Sequence, residues 1–132
     1  MTPRERSRLL QAAEGYFRSG NPGLARITLE SLVAADASSS KAFELLGYVY
    51  GNEDRLADAH RCLETACRLR GASPEAFYYL GVSCLKQGLA EPAIQAFDKA
   101  IALAGPFFEA LHDRGTAYSQ LGRNASALES YA

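Results

Sequence analysis

Residues 74–107 read PEAFYYLGVSCLKQGLAEPAIQAFDKAIALAGPF, and this stretch decides the fold. Phe77, Leu80, Cys84 and Leu85 follow a three-four spacing, and Ala93, Ile94, Phe97, Ala100, Ile101 and Ala104 do the same. That spacing gathers apolar side chains on one side of a helix. It predicts two amphipathic helices, 74–87 and 91–104, separated by Gly88, where the backbone must leave the helical region. Ser73-Pro74-Glu75 offers a capping hydroxyl, a proline at the first helical position and an acid in the first turn. Pro92 lies in a first turn, where a missing amide proton costs little.

Outward from this stretch the same pattern recurs. Gly47, Gly81 and Gly115 are spaced 34 residues apart, and Ala59, Ala93 and Ala127 keep the same interval, with Ala13 and Ala25 extending both ladders backward. Small residues on a fixed period mark places where one helix presses closely on another. The chain therefore divides into repeats 6–39, 40–73 and 74–107 and an incomplete 108–132. The predicted helices are 3–19 and 21–35, 41–51 and 55–69, 74–87 and 91–104, then 107–121 and 124 onward. Gly20 and Gly122 fall between paired helices as Gly88 does, Asn21-Pro22 opens a helix, and no strand is predicted.

Further positions repeat in register. Leu9, Phe43, Phe77 and Leu111 hold the fourth place, and Ala12, Leu46 and Leu80 the seventh. Tyr16, Tyr50, Cys84 and Tyr118 stand three residues after the small one, while Leu29, Leu63, Phe97 and Tyr131 stand four after the second. This set of coupled positions, running from Arg6 to Ala132, resembles the tetratricopeptide repeat family. The resemblance implies an all-α fold, an alpha-alpha superhelix or solenoid of antiparallel helix pairs, with three full repeats and a truncated fourth in one domain, 1–132. Two departures stand out. The proline usual near the end of such a repeat is Ala37 and Gly71 here, and Arg114 stands where the pattern has leucine.

Composition excludes other classes. With 48% hydrophobic residues and a net charge of −1, acids and bases interspersed, the chain offers no electrostatic surface for nucleic acid or membrane. The short basic run Arg4, Arg6 and Arg8 reads as a solvated helix face. No apolar stretch is long enough to span a bilayer, and the expected location is cytoplasmic. Cys62, Cys67 and Cys84 lack metal-ligand spacing and read as small apolar packing residues. No metal, cofactor or catalytic residue is expected. The run His112-Asp113-Arg114 places an acid beside an imidazole, but neighbours on a helix point about 100° apart and do not form a relay.

What remains is binding. In the family that the sequence resembles, the first helix of each repeat lines a concave groove, which implies the following candidates. Phe17 comes from the first repeat, and Lys41, Glu44, Tyr48 and Asn52 from the second. Tyr78, Tyr79, Val82 and Lys86 come from the third, and His112 and Asp113 from the fourth. The places that grip acidic chaperone tails in some members hold Leu10, Glu14, Leu45, Glu75 and Tyr79, so that carboxylate clamp is absent. The asparagine ladder of sugar-transferase arms is replaced by Gln11, Leu45, Tyr79 and Asp113. An apolar, tyrosine-rich groove instead suits an apolar or amphipathic segment of a partner protein, with Leu45 and Leu85 serving the core. Two further functions follow from the unfinished array. It reads as a self-assembly module acting through an uncapped C-terminal helix, or as the substrate-recruiting arm of a larger enzyme such as a glycosyltransferase.

Overall fold

The computed structural model describes residues 1–131, with side chains as far as Arg123. Among the described residues there are seven helices and no strand. They group into two compact halves, Met1–Ala72 and Ser73–Ala132.

The first half holds α1 (Pro3–Arg18), α2 (Pro22–Ala35), α3 (Ser40–Asn52) and α4 (Leu56–Arg68), each packed on the next. Side-chain caps start three of them. Asn21 accepts from the Leu24 amide at 3.4 Å, as the sequence signals. Two caps were not anticipated: Thr2 and Glu5 form a reciprocal capping box at α1, and Ser39 accepts from the Ala42 amide at 3.2 Å. Its core joins Ala13, Ala25, Leu29, Leu46, Val49, Tyr50 and Ala59. Ser40 donates to the Ala66 carbonyl at 2.7 Å, tying α3 to α4 through a buried hydroxyl. Arg6 leaves the solvated basic run to pair with Asp36 at 2.8 Å. Two hydrogen bonds from Ser38, then Arg6, hold the Asp36 carboxyl at about 2.

The second half holds α5 (Pro74–Lys86), α6 (Ala90–Ala104) and α7 (Phe108–Tyr131). Ser73 caps α5 by accepting from the Ala76 amide at 3.1 Å. Cys84, Ala93, Ile94, Phe97 and Ala117 form the core. Here the small-residue ladder has its physical meaning. A Cβ on Gly81 would sit 2.5 Å from Cε1 of the fully buried Phe97, and one on Gly47 would sit 2.7 Å from Cγ of Leu63 in the first half. Within a pair, the second helix lies directly on the backbone of the first.

The turn between paired helices is the same three times over. The amides of Asn21, Arg55 and Leu89 reach back to the carbonyls of Tyr16, Tyr50 and Cys84 at 2.8, 2.9 and 2.9 Å. The residue before each amide is left-handed: Gly20 at φ +82°, Asp54 at +60° and Gly88 at +76°. This is the helix-ending motif that glycine favours. Asp54 was not foreseen, because aspartate enters that region at smaller cost than most residues and gives no glycine signal.

The fourth repeat departs from the expected pair. In place of a turn at Gly122 and a separate helix from Asn124, α7 runs unbroken to Tyr131. Extending a helix adds a hydrogen bond per residue, whereas a second helix needs a new nucleus, which only burial against α7 would offset. Accordingly, among the described residues nothing lies within 4 Å of a Cβ built on Gly115. The helix packs on α6 through the buried Ala110 and Ala117, while Leu111 and Tyr118 on its other face stay 41% and 53% exposed. Arg114, at the place of a core leucine, pairs with Asp98 at 2.8 Å instead. The side chains of Ala127 and of the expected uncapped end lie outside those described.

These two glycine environments predict opposite outcomes. Gly81→Ala forces the Phe97 ring out of a filled core and should cost about 1–3 kcal/mol. Gly115→Ala meets open space in a helix interior and should stabilise by about 0.5–1 kcal/mol. Urea unfolding of both variants checks the pair, and an equal loss in the two would contradict the open face of α7.

Candidate protein-binding surface

The helices that open each pair carry the candidate residues. In the first half, α1 and α3 bring Phe17 and Tyr48 together, with ring centroids 5.2 Å apart and planes inclined by 63°. Such an edge-to-face pair adds about 0.5–1.5 kcal/mol beyond its burial. Phe17 leans on the core, and Tyr48 keeps 37% of its surface in solvent. Leu10 and Leu45 are half-buried against the same core, so Leu45 is a support rather than an exposed contact. One turn away along α3, the Lys41 ammonium donates to Glu44 at 3.2 Å. Glu44 is only 3% exposed, while Lys41 and Asn52 are exposed.

In the second half, Tyr78 is less a free contact than a strut. Its ring lies 5.7 Å from Tyr79, 5.8 Å from Phe97 and 5.7 Å from Phe107. Its hydroxyl donates to Asp113 at 2.6 Å, joining α5 to α7. Burial raises the Tyr78 phenol's pKa, and the Asp113 hydrogen bond and the charges of Asp113 and Glu109 raise it further. The phenol therefore stays protonated and keeps donating. Tyr79 and Val82 are half-buried, and Val82 and Leu85 flank the core. Lys86 stands exposed at the end of α5.

The run His112-Asp113-Arg114 is dispersed by its helix. His112 stacks on Phe108 with centroids 5.8 Å apart, Asp113 accepts from Tyr78, and Arg114 turns to Asp98. Cys84 sits in the core, and burial pushes the Cys62 thiol up to about 11, which keeps it protonated. The sequence reading missed Phe107, which closes the Tyr78 cluster from the loop before α7. It also missed the charged side of the first half, where Tyr50 donates to Glu30 at 3.2 Å and the Arg55 guanidinium lies 4.3 Å over the Tyr50 ring. Neither had a periodic signal, since each depends on which side chains meet between helices.

Two sequence models, both described as Tetratricopeptide repeat, match residues 45–106 and 108–132. The chain belongs to the tetratricopeptide repeat family. Its fold class is the all-α repeat superhelix of that family. Among solved structures it is similar to MamA, with 28% identity and a TM-score of 0.82 over 98% of this chain and 70% of that one. It is also similar in fold to the first tetratricopeptide domain of Spaghetti (RPAP3), solved with the HSP90 peptide SRMEEVD. There the identity is 17% and the TM-score 0.86, over 92% of this chain and 97% of that one. A third likeness of fold is to the O-GlcNAc transferase of Thermobaculum terrenum, at 24% identity and a TM-score of 0.78. It spans 89% of this chain and 23% of the transferase. No curated protein matches the chain. Tetratricopeptide repeat domains are in general protein-interaction modules rather than catalysts. No helix among the described residues is long and apolar enough to cross a membrane.

The Tyr78 strut is directly testable. Tyr78→Phe should cost about 1 kcal/mol, the net worth of a half-buried hydrogen bond. A double-mutant cycle with Asp113→Asn in urea should return a coupling of at least about 0.5 kcal/mol. A coupling near zero would mean that the two groups are solvated independently.

Proposed function

We propose that this protein is an interaction scaffold that holds a peptide or helix of a partner protein against its pair-opening helices, α1 and α3 in one half and α5 and α7 in the other. It does no catalysis of its own. The observation that carries this reading is Tyr48, a large amphipathic side chain held by Phe17 yet 37% exposed on the side that lines the groove in this family. Anchored tyrosines supply contact area and a hydroxyl at small entropic cost, which is why they concentrate binding energy at interfaces. Phe17, Lys41, Glu44 and Asn52 surround it along the same helices. Tyr79, Val82, Lys86 and His112 play the corresponding part in the second half, with Tyr78 and Asp113 bracing it. Support from outside the chain comes from the likeness in fold to the RPAP3 domain, which was solved with a chaperone peptide. A cytoplasmic setting is part of this proposal.

A display library of random peptides, panned against the full chain, tests the proposal. Binders should emerge whose affinity falls about tenfold or more in Tyr48→Ala or Tyr79→Ala, as loss of an interface anchor of 1.4 kcal/mol or above implies. Circular dichroism should still report a folded helical protein in the Tyr48 variant, with melting lowered by the several degrees that loss of the Phe17 contact implies. Binders indifferent to both substitutions would sink the assignment of these faces.

A second reading, assembly of the chain with itself, draws support from α7. Leu111 and Tyr118 are exposed on the face where the earlier repeats carry their second helix, and Phe108 at the start of the helix is 76% exposed. Apolar area of this kind favours association. Light scattering over a concentration series should then show a mass rising above that of the single chain, and a constant single-chain mass would dismiss it.

A further inference from the structure

From the charges on the second half we infer that the α5–α7 face takes a basic amphipathic segment of a partner protein, its cationic side chains lying along Glu75, Glu109 and Asp113 and its apolar ones on Tyr79 and Val82. The inference rests on the groove reading above and names the chemistry of the occupant.

The alignment of charge with the aromatic face is geometric. Glu75 and Tyr79 are four residues apart on α5, and Glu109 and Asp113 are four apart on α7, so each pair shares one side of its helix. The Tyr78 hydroxyl, donating to Asp113 at 2.6 Å, joins the two helices, and the Tyr78 ring lies 5.7 Å from that of Tyr79, so the Tyr79 side adjoins the Asp113 side. Asp113 and Glu109 both act electrostatically on the Tyr78 phenol, so their charges reach the aromatic cluster itself.

Among the described residues, the acids of this face find no cation partner. Elsewhere Glu30, Asp36, Glu44, Glu53, Asp58, Glu64 and Asp98 each stand in an ion pair. No ion pair among the described residues reaches Glu75, Glu109 or Asp113. The cations carried by the same helices lie elsewhere. Arg114 is turned to Asp98 on α6, Lys86 is eleven residues from Glu75, about 16 Å along the helix, and Arg123 is ten from Asp113, about 15 Å. Three carboxylates with the remaining same-helix cations, Lys86 and Arg123, about three turns away leave this side negative in a chain whose net charge is only −1. An incoming lysine or arginine gains their attraction and a place over the half-exposed Tyr79 ring, where a cation is further stabilised. An acidic segment would meet like charge throughout.

Three synthetic helical peptides with one shared apolar pattern, bearing lysine, glutamine or glutamate at every polar place, test this on the full chain by fluorescence anisotropy. The lysine peptide should bind about tenfold or more tightly than the glutamine one, with the glutamate peptide weakest. The advantage should shrink as salt rises from about 0.05 to about 0.5 M. Glu75→Gln with Glu109→Gln should narrow the lysine preference, and Glu75→Lys with Glu109→Lys should reverse it in favour of glutamate. Both residues are exposed, so circular dichroism should report an intact fold, and the glutamine variant stands alone if the lysine one is destabilised. Equal binding of the three peptides would overturn the cationic inference and leave the groove reading standing. Binding by none of them would overturn the groove reading, and this inference with it.

Discussion

The contact of Leu63 with the backbone of Gly47, repeated as Phe97 on Gly81, is the constraint from which the other features follow. With no side chain at that place, the second helix of a pair approaches until a branched or aromatic residue fills the gap. Even one methyl group there would overlap it. This approach determines which side of the first helix is buried against its own partner. Two other sides follow at helical spacing: one meets the preceding helix, as α7 meets α6 through Ala110 and Ala117, and the other remains for a ligand. The candidate binding residues of α3 and α5 therefore owe their direction to the glycine on which each pair closes.

The fourth repeat shows what happens when this contact is missing. Gly115 stands at the right place, yet nothing among the described residues meets it, and α7 continues through Gly122 where Gly20, Asp54 and Gly88 reverse the chain. A glycine permits a left-handed turn without compelling one. The reversal is stabilised by the apolar surface that the returning helix buries, so turn and close approach form together or not at all. The exposed Leu111 and Tyr118 are the other side of that coupling.

Polar groups divide the molecule differently from apolar ones. On the side of the first half around Tyr50, charges are mutually satisfied: Arg26 lies between Glu30 and Glu53, and Asp58 between Arg55 and Arg61. Such exposed pairs add little stability, but they leave a surface with no strong preference of sign. Around Tyr78, Asp113 is held by a neutral phenol and no cation among the described residues pairs with it, so the surface keeps its charge. The Tyr78–Asp113 bond thus braces two helices and also fixes where an acid stands beside an aromatic ring.

The sequence by itself determined six of the helices and their pairing to within a residue or two, the start of the seventh, and two caps, at Asn21 and Ser73. All of that is local information: helical period, capping chemistry and the interval between small residues. The candidate surface was legible as a set of places, because register assigns a direction to each side chain on a helix. Tertiary structure alone decided how those places are used. It turned Tyr78 into a brace, buried Glu44 beside Lys41, set Leu45 against the core and sent Arg114 to Asp98. It also let Asp54 stand where its counterparts are glycines, and it kept α7 straight. These outcomes depend on which groups meet between helices distant in sequence, and a hydrogen bond or an ion pair leaves no period to read.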